Sequence, residues 1–167
     1  MKLSTLGIAA VTAFASLAPA SAASYLLNYT GSGAVTAALT ITTSNTAGPG
    51  GSYGITGITG NVLGDVVTGL APVNPPGFNT DNNYFNADPI FTTGGVGFFS
   101  STLTYNLWGT GPGAYTLYSY NGSSYTIEST GTLTVANVPE PASWALLIVG
   151  FGMVGFAARR RTASIAA

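Results

Sequence analysis

The chain has 167 residues, a formal net charge of −1 at pH 7, no Cys, no His and only four Lys and Arg residues, all of them near its two ends. The long middle part therefore offers no cation for nucleic-acid phosphates, no His or Lys base for a serine or cysteine hydrolase, and no Cys or His ligand for zinc. These absences exclude nucleic acid as a partner, and the lack of Cys excludes disulfide bonds.

The first 22 residues predict a secretory signal peptide. Lys2 gives a positive start, an apolar run covers residues 3–17, and small side chains come after it. Signal peptidases read a pair of small residues, here Ala20 and Ala22, so cleavage is expected after Ala22, with Ala23 as the next choice. An uncleaved N-terminal anchor is the alternative, although the apolar run is short for a membrane span. Signal peptidase and the secretion machinery are the expected partners, and the bulk of the chain is exported.

Residues 23–138 predict a secreted all-β domain, either an antiparallel β-sandwich or a barrel-like fold. From residue 35 to residue 42, apolar side chains alternate with a second set that is mostly Thr. This period of two is typical of a β-strand with one face in the core and the other exposed to solvent. Asn121-Gly122 predicts a hairpin with a type I′ turn, because both central residues of that turn need positive φ. Short strands divided by turns are typical of sandwiches and barrels. They are predicted at residues 35–42, 53–63, 66–70, 89–92, 96–100, 102–108, 114–120, 123–128 and 131–136.

Residues 71–89 contain four prolines and a cluster of Asn and Asp, which predicts a long surface loop. Within it Asn79, Asp81 and Asn83 alternate oxygen ligands, with Asp88 nearby, and calcium prefers such oxygens. The spacing does not fit an EF-hand, whose turn Gly and bidentate Glu are missing. A solvated loop rich in Asn and Asp is the favoured interpretation over a calcium site, and no cofactor is expected.

The carboxylates of residues 23–138 are Asp65, Asp81, Asp88 and Glu128. Hydrolysis of a glycosidic bond needs two of them, and Asp81 or Asp88 with Glu128 is the only sensible choice. Four carboxylates often include a possible pair by chance, so glycosidase activity is a remote alternative. We expect no enzymatic activity and assign no catalytic residue.

Aromatic residues crowd the last third of this domain, and they are Tyr105, Trp108, Tyr115, Tyr118, Tyr120 and Tyr125. Tyr118 and Tyr120 are predicted to share one face of a strand, with Tyr125 opposite them across the hairpin. If exposed, the rings could stack on sugars, and the domain would be a carbohydrate-binding module using Trp108, Tyr118, Tyr120 and Tyr125. Burial is the favoured interpretation, because a domain with few Leu and Ile needs large apolar side chains in its core.

The C-terminal part predicts a helix that begins at about Pro141. Pro139 and Pro141 fix φ and keep the chain extended up to Glu140, while proline suits the first helical position. Residues 142–158 carry no ionisable side chain and would span roughly 26 Å as a helix, slightly short of a hydrocarbon core. The expected structure is a transmembrane helix.

The flanks of this apolar run predict its orientation. Trp144 suits a membrane interface, and the basic block of Arg159, Arg160 and Arg161 favours the cytoplasmic side. The bulk of the chain is then expected outside the membrane.

These residues resemble the PEP-CTERM sorting signal in the form common in alphaproteobacteria. The resemblance covers residues 139–167 and implies processing near the Pro-Glu-Pro motif by an exosortase, a multispanning membrane cysteine transpeptidase. It also implies a precursor in the inner membrane, then release or transfer to the cell surface in bacteria that make exopolysaccharide. We therefore expect a surface or extracellular-matrix protein of a biofilm, with exopolysaccharide as a candidate partner. The resemblance rests on Pro139, Glu140, Pro141, Trp144, Ala145, Gly150, Phe151, Gly152, Gly155, Arg159, Arg160 and Arg161.

Overall fold

The computed structural model describes residues 22–139 and 141–163. Within these residues the chain forms nine β-strands, two short 3-10 turns at Ser32–Ala34 and Pro49–Gly51, and one α-helix. The elements in chain order are β1 (Ser24–Gly31), β2 (Thr36–Thr43), β3 (Tyr53–Val62), β4 (Asp65–Leu70), β5 (Asn83–Tyr84), β6 (Val96–Ser100), β7 (Thr104–Gly111), β8 (Ala114–Tyr120), β9 (Tyr125–Val138) and α1 (Pro141–Ala163).

Eight of the strands close into an antiparallel barrel. Their order is β2-β1-β9-β8-β7-β6-β4-β3, and β3 returns to pair with β2. This last pairing includes Ala37 opposite Val62 and Ile41 opposite Ile58, so the sheet has no free edge between these strands. The short β5 adds only to the beginning of β3, where Tyr84 pairs with Tyr53. The predicted all-β domain is confirmed, and its barrel form is the one the chain adopts.

The barrel interior is filled by one face of each strand. On β2 the buried side chains of Ala37, Leu39 and Ile41 alternate with the more exposed Thr36 and Thr40, as the period of two predicts. The buried apolar side chains of β1 to β8, with Ile90 and Phe91 between β5 and β6, form one continuous core. Its largest fully buried members are Tyr29, Tyr105, Phe91, Phe98, Leu27, Leu39, Ile41, Leu107, Leu117, Val62 and Val96.

Several predicted boundaries are wrong. Residues 89–92 form no strand, and the two strands predicted at 123–128 and 131–136 are a single strand, β9. The predicted hairpin between β8 and β9 is present, but its turn is not type I′, because Gly122 has a φ of 94° while Asn121 is not among the residues with positive φ. Instead, the Asn121 side-chain oxygen accepts hydrogen bonds from the backbone N–H groups of Ser123 and Ser124, both at 2.9 Å.

The segment between β4 and β6, residues 71–95, forms a long loop, and we use that name for it. It has little regular structure, as predicted, but it packs against the barrel and does not lie free in solvent. Asn82 is 5 % exposed; its Nδ2 donates to the carbonyl of Ala71 at 2.8 Å, and its Oδ1 accepts from Gly97 N–H at 2.9 Å. Thr80 is also buried and donates to the carbonyl of Pro72 at 3.2 Å. These polar side chains fix the loop on the outside of β6.

The later part of the long loop closes one end of the barrel. Tyr84 packs on Tyr25 with 4.3 Å between ring centroids, and Phe91 meets the edge of Tyr115 at 6.4 Å. All three of Tyr84, Ile90 and Phe91 are buried and belong to the core. The loop therefore contributes to the stability of the domain as well as to its surface.

The helix α1 begins at Pro141, as predicted. Of the residues that the structure describes, none forms a helix both long and apolar enough to cross a membrane, so the span predicted over 142–158 is not supported. As a helix that apolar run covers roughly 26 Å, which is less than the ~30 Å of a typical hydrocarbon core.

Some predictions fall on residues outside the described ranges. These are most of the signal peptide with Ala20, Glu140 of the Pro-Glu-Pro motif, and residues 164–167 at the C-terminus. Ala22 is the first described residue and is exposed.

Candidate functional site: an aromatic groove and the sorting segment

The outer face of β7 and β8 presents polar and aromatic side chains side by side. Asn106 pairs with Tyr118 across the two strands, and Trp108 lies two residues further along the same face. The rings of Trp108 and Tyr118 meet edge to face, with 5.6 Å between centroids and 63° between planes. Their neighbours in sequence, such as Leu107 and Leu117, point into the core.

The long loop supplies the opposite wall. Phe78 meets the edges of Tyr120 and Tyr125 at centroid distances of 6.1 and 5.7 Å. Tyr120 and Tyr125 are themselves directly paired between β8 and β9, with ring centroids 4.9 Å apart. The predicted grouping of Tyr118, Tyr120 and Tyr125 around the hairpin is thus confirmed, and Phe78 joins it.

Between these walls lies a groove of about 230 Å³, which we call the aromatic groove. None of the side chains that line it is charged. Tyr125 at its rim is 55 % exposed, whereas Trp108, Tyr118 and Phe78 are half-buried. The lining residues are Gly77, Phe78, Asn79, Thr93, Asn106, Trp108, Tyr118 and Tyr125.

Two buried polar atoms among the lining residues have no hydrogen-bond partner in the described part of the chain. They are Oδ1 of Asn106 and Nε1 of Trp108. The other end of the Asn106 amide is satisfied, since Nδ2 donates to the carbonyl of Gly94 at 3.1 Å. Buried polar groups are normally paired, so an unused acceptor and an unused donor beside one groove mark it as a candidate binding site.

The structure divides the predicted aromatic cluster into two sets. Tyr105 and Tyr115 are each 2 % exposed and belong to the core, which agrees with the favoured interpretation of burial. The four rings named for carbohydrate binding differ: Trp108, Tyr118 and Tyr120 are half-buried, and Tyr125 is exposed. The strand period decides this division, because residues 118 and 120 face away from the side that carries Tyr115.

Phe78 and Asn106 are groove residues that sequence reasoning missed. Asn106 shares its strand face with Trp108, so the period of two could have found it. Phe78 comes after two prolines and a glycine in an irregular segment, where no periodic signal exists.

The proposed calcium ligands have other partners. One carboxylate oxygen of Asp81 accepts the hydroxyl of Thr92, and the other accepts the backbone N–H of Asn83 at 3.2 Å. Asp88 accepts the hydroxyl of Tyr115 at 2.7 Å, and Asn79 lines the aromatic groove. Among the described residues, no group of three or more acidic side chains could hold a metal ion. The calcium site stays a prediction that no contact in this structure favours.

The carboxylates considered for hydrolysis are also engaged separately. Glu128 accepts the hydroxyl of Ser119, whereas Asp88 accepts that of Tyr115. Ser119 and Tyr115 are four residues apart on β8, about 13 Å along the strand, so the two carboxylates are held at different positions of this strand and share no hydrogen-bond partner among these contacts.

Tyr115 and Tyr84 are the most strongly perturbed titratable groups described. Burial raises the pKa of Tyr115 to about 12; the backbone N–H of Ile90 lowers it and Asp88 raises it. Burial likewise raises the pKa of Tyr84 to about 12, with a further contribution from Tyr25. Both hydroxyls are therefore neutral at physiological pH, and Tyr115 is a hydrogen-bond donor to Asp88.

The second candidate site is the segment after the barrel. The last strand ends at Val138, α1 begins at Pro141, and the side chains of Trp144 and Arg159 are exposed. Comparison with known protein families matches residues 137–161 to the PEP-CTERM protein-sorting motif. The chain carries a PEP-CTERM protein-sorting motif in this segment.

The PEP-CTERM match covers every residue predicted to act in sorting, from Pro139 to Arg161, and confirms the resemblance. Its alphaproteobacterial form stays a prediction. The PEP-CTERM motif indicates export and sorting to the cell surface, and it implies processing by an exosortase and association with a membrane. Comparison of the chain with curated proteins and with solved structures gives no match.

Proposed function

We propose that the chain is an exported surface or extracellular-matrix protein that an exosortase processes and that has no catalytic activity. The observation that carries this proposal is the PEP-CTERM motif at residues 137–161, which begins at the last two residues of β9, the final strand of a closed barrel. The precursor would reach the exosortase at the inner membrane, and the mature barrel would then join the cell surface or an exopolysaccharide matrix.

The arrangement of the core supports processing at this position. All of the buried apolar core residues lie between Leu27 and Leu117, and the last partly buried residue packed on them is Leu133. Cleavage near Pro139 would therefore remove no core residue of the barrel, so the delivered part keeps its fold.

The side-chain chemistry supports a role without catalysis. Residues 23–138 contain no basic side chain. Each of the four carboxylates accepts a hydrogen bond from the hydroxyl group of another residue, and the four are Asp65, Asp81, Asp88 and Glu128. An acid–base pair of a hydrolase needs carboxylates that face a cleft, where one can reach the substrate and the other a water molecule.

The test is the intact mass of protein recovered from the cell surface and from the medium. We expect the wild-type mass to begin near Ala23 and to end near Pro141, and we expect a chain with Pro139, Glu140 and Pro141 replaced by alanine to keep its C-terminus. Thr162→Ala is the matched control, because residue 162 lies just outside the matched motif. A wild-type mass that retains Arg159, Arg160 and Arg161 would overturn the proposal.

Carbohydrate binding is the second candidate function. It is favoured by the aromatic groove, whose rings lie on the outside of the barrel and not in its core. With this function, the barrel delivered to the surface holds a polysaccharide there. Glycosidase activity receives no comparable support.

A further inference from the structure

We infer that the aromatic groove binds one neutral sugar ring of a polysaccharide, with Trp108, Tyr118 and Asn106 as the principal contacts. The inference specifies the ligand and the residues of the second candidate function, on which it rests. It does not depend on sorting, because every residue involved belongs to the barrel and the long loop.

The first argument is the mixed character of the groove. A sugar ring has C–H faces that pack on aromatic rings and hydroxyl groups around its edge that need hydrogen-bond partners. The groove offers the rings of Phe78, Trp108, Tyr118 and Tyr125 for the faces, and the amide of Asn106 lies beside them. Sites for small molecules commonly combine mainly apolar walls with a few polar groups in this way.

The second argument is the pair of unsatisfied atoms. Nε1 of Trp108 can only donate a hydrogen bond, and Oδ1 of Asn106 can only accept one. A hydroxyl group does both, so neighbouring hydroxyls of one sugar can satisfy the two atoms together. Both atoms are buried, and Oδ1 of Asn106 lies 2.7 Å from where a Cβ on Gly95 would be, so a ligand that reaches them displaces part of the packing between the groove and the long loop. Trp108 should therefore report binding through its own environment.

The third argument is charge. No charged side chain lines the groove, and residues 23–138 contain no basic residue at all. An acidic polysaccharide would find no cation here, and burying its carboxylate without a partner is costly. A purely apolar ligand would leave the amide oxygen of Asn106 and the indole N–H of Trp108 unsatisfied. A neutral, hydroxyl-rich ligand meets both conditions.

The fourth argument is size. At about 230 Å³ the groove is smaller than the ~300–1,000 Å³ typical of sites for drug-sized ligands, so it holds a single ring. A second depression of about 540 Å³ is lined in part by Pro75, Pro76 and Tyr120. Pro75 and Pro76 shortly precede Phe78 in the chain, and the ring of Tyr120 contacts the ring of Phe78. The next sugar units of a polysaccharide would therefore have room in this second depression.

The test uses the full chain with Trp144→Phe. The protein has two tryptophans, so this variant leaves Trp108 as the single tryptophan reporter. Short neutral oligosaccharides of glucose, galactose and mannose are titrated separately, with an oligosaccharide of uronic acids and a long-chain alcohol as the charged and apolar probes. We expect a saturable change in Trp108 emission with at least one neutral oligosaccharide and none with the other two probes.

Two variants in the same background locate the site. Tyr118→Ala should weaken binding about tenfold, because it removes a stacking ring. Tyr125→Ala should also weaken binding. Because Tyr125 is exposed, this change leaves the core intact and tests the site even if Tyr118→Ala proves unstable. Phe151→Ala, an exposed aromatic residue of α1, is the matched control and should bind like the parent.

Three results would overturn the inference when circular dichroism shows a folded chain. One is the absence of a saturable change with every neutral oligosaccharide. Another is an equal response to the uronic acid oligosaccharide or to the alcohol. The third is binding by Tyr118→Ala and Tyr125→Ala that equals binding by Phe151→Ala. None of these results would alter the masses that test sorting, so the two proposals fail separately.

Discussion

At the scale of single residues, Asn82 has the clearest structural role. Its amide joins the carbonyl of Ala71 to the N–H of Gly97, and its backbone has a φ of 51°, a conformation that Asn tolerates better than most residues. The side chain therefore ties the long loop to β6 at the point where the loop begins to cover the barrel.

Replacing Asn82 by alanine should lower the free energy of unfolding by about 2–4 kcal/mol, because two buried backbone groups lose their partners. Urea denaturation measures this change. Asn74→Ala is the matched control, since Asn74 lies in the same loop with a φ of 53° but is exposed. Equal losses in the two variants would show that the hydrogen bonds of Asn82 contribute nothing.

The buried tyrosines predict how stability depends on pH. The folded-state pKa values of Tyr84 and Tyr115 are raised to about 12 from 10.0, so the folded state holds these protons more tightly than the unfolded state. Their contribution is complete below about pH 10 and is lost as the pH rises towards about 12. Urea midpoints measured across this range should fall. The fall should be smaller for Tyr115→Phe than for Tyr125→Phe, and equal slopes would contradict the assignment.

At the scale of elements, the contact between the long loop and β7 depends on Gly95. Its φ is 68°, and an added Cβ would lie 2.4 Å from the carbonyl oxygen of Leu107 and 2.6 Å from Cβ of Trp108. The loop can approach this closely only where no side chain intervenes.

Gly95→Ala should therefore destabilise the domain more than Gly50→Ala does. Gly50 has a similar φ of 72° but open space where a Cβ would lie, so its replacement measures the backbone strain alone, about 1–3 kcal/mol. Thermal unfolding compares the two variants. Equal losses would mean that the loop can move away from β7 without cost.

The elements that sequence predicts well are those with local signals. The strand Ala114–Tyr120 and the hairpin after it are predictable from alternation and from Asn121-Gly122. The first strand, Ser24–Gly31, escapes prediction because it begins directly after the expected cleavage point, although Leu27 and Tyr29 alternate in it. The packing of the long loop depends on contacts such as Asn82 with Gly97, which join distant parts of the chain and leave no local pattern.

At the scale of the whole molecule, closure of the barrel makes the domain independent of the C-terminal sorting segment. The pairing of β2 with β3 completes the ring of strands, and β9 is held by both β1 and β8 before α1 begins. The sorting segment is thus attached to the end of a finished domain.

A chain that ends after Pro139 should consequently unfold at nearly the same urea concentration as the chain that continues to Ala167. The difference in free energy of unfolding should stay within about 0.5 kcal/mol, because none of the α1 side chains that the structure describes belongs to the core. A chain that instead ends after Thr130 is the matched control and should fail to fold, because it loses the part of β9 that pairs with β1. A large loss in the longer truncation would show that α1 supports the barrel.

The two candidate sites differ in how far sequence could predict them. The sorting segment is contiguous, so Pro139, Trp144 and Arg159 could be recognised in order and spacing, and the family match covers the range that contains them. The aromatic groove combines β7, β8 and β9 with the long loop. The sequence indicated which aromatic residues could form the groove, but it did not show that Trp108 and Tyr118 face outwards, because that depends on the register of the strands. The position of Phe78 opposite them depends on how the long loop packs on the barrel.

The measurement that tests the central claim most directly is the intact mass of the surface protein in cells with and without their exosortase. We predict a species that begins near Ala23 and ends near the Pro-Glu-Pro motif when the exosortase is present, and a species extending to Ala167 when it is absent. Identical masses in the two strains, with Arg159, Arg160 and Arg161 retained in both, would contradict the account.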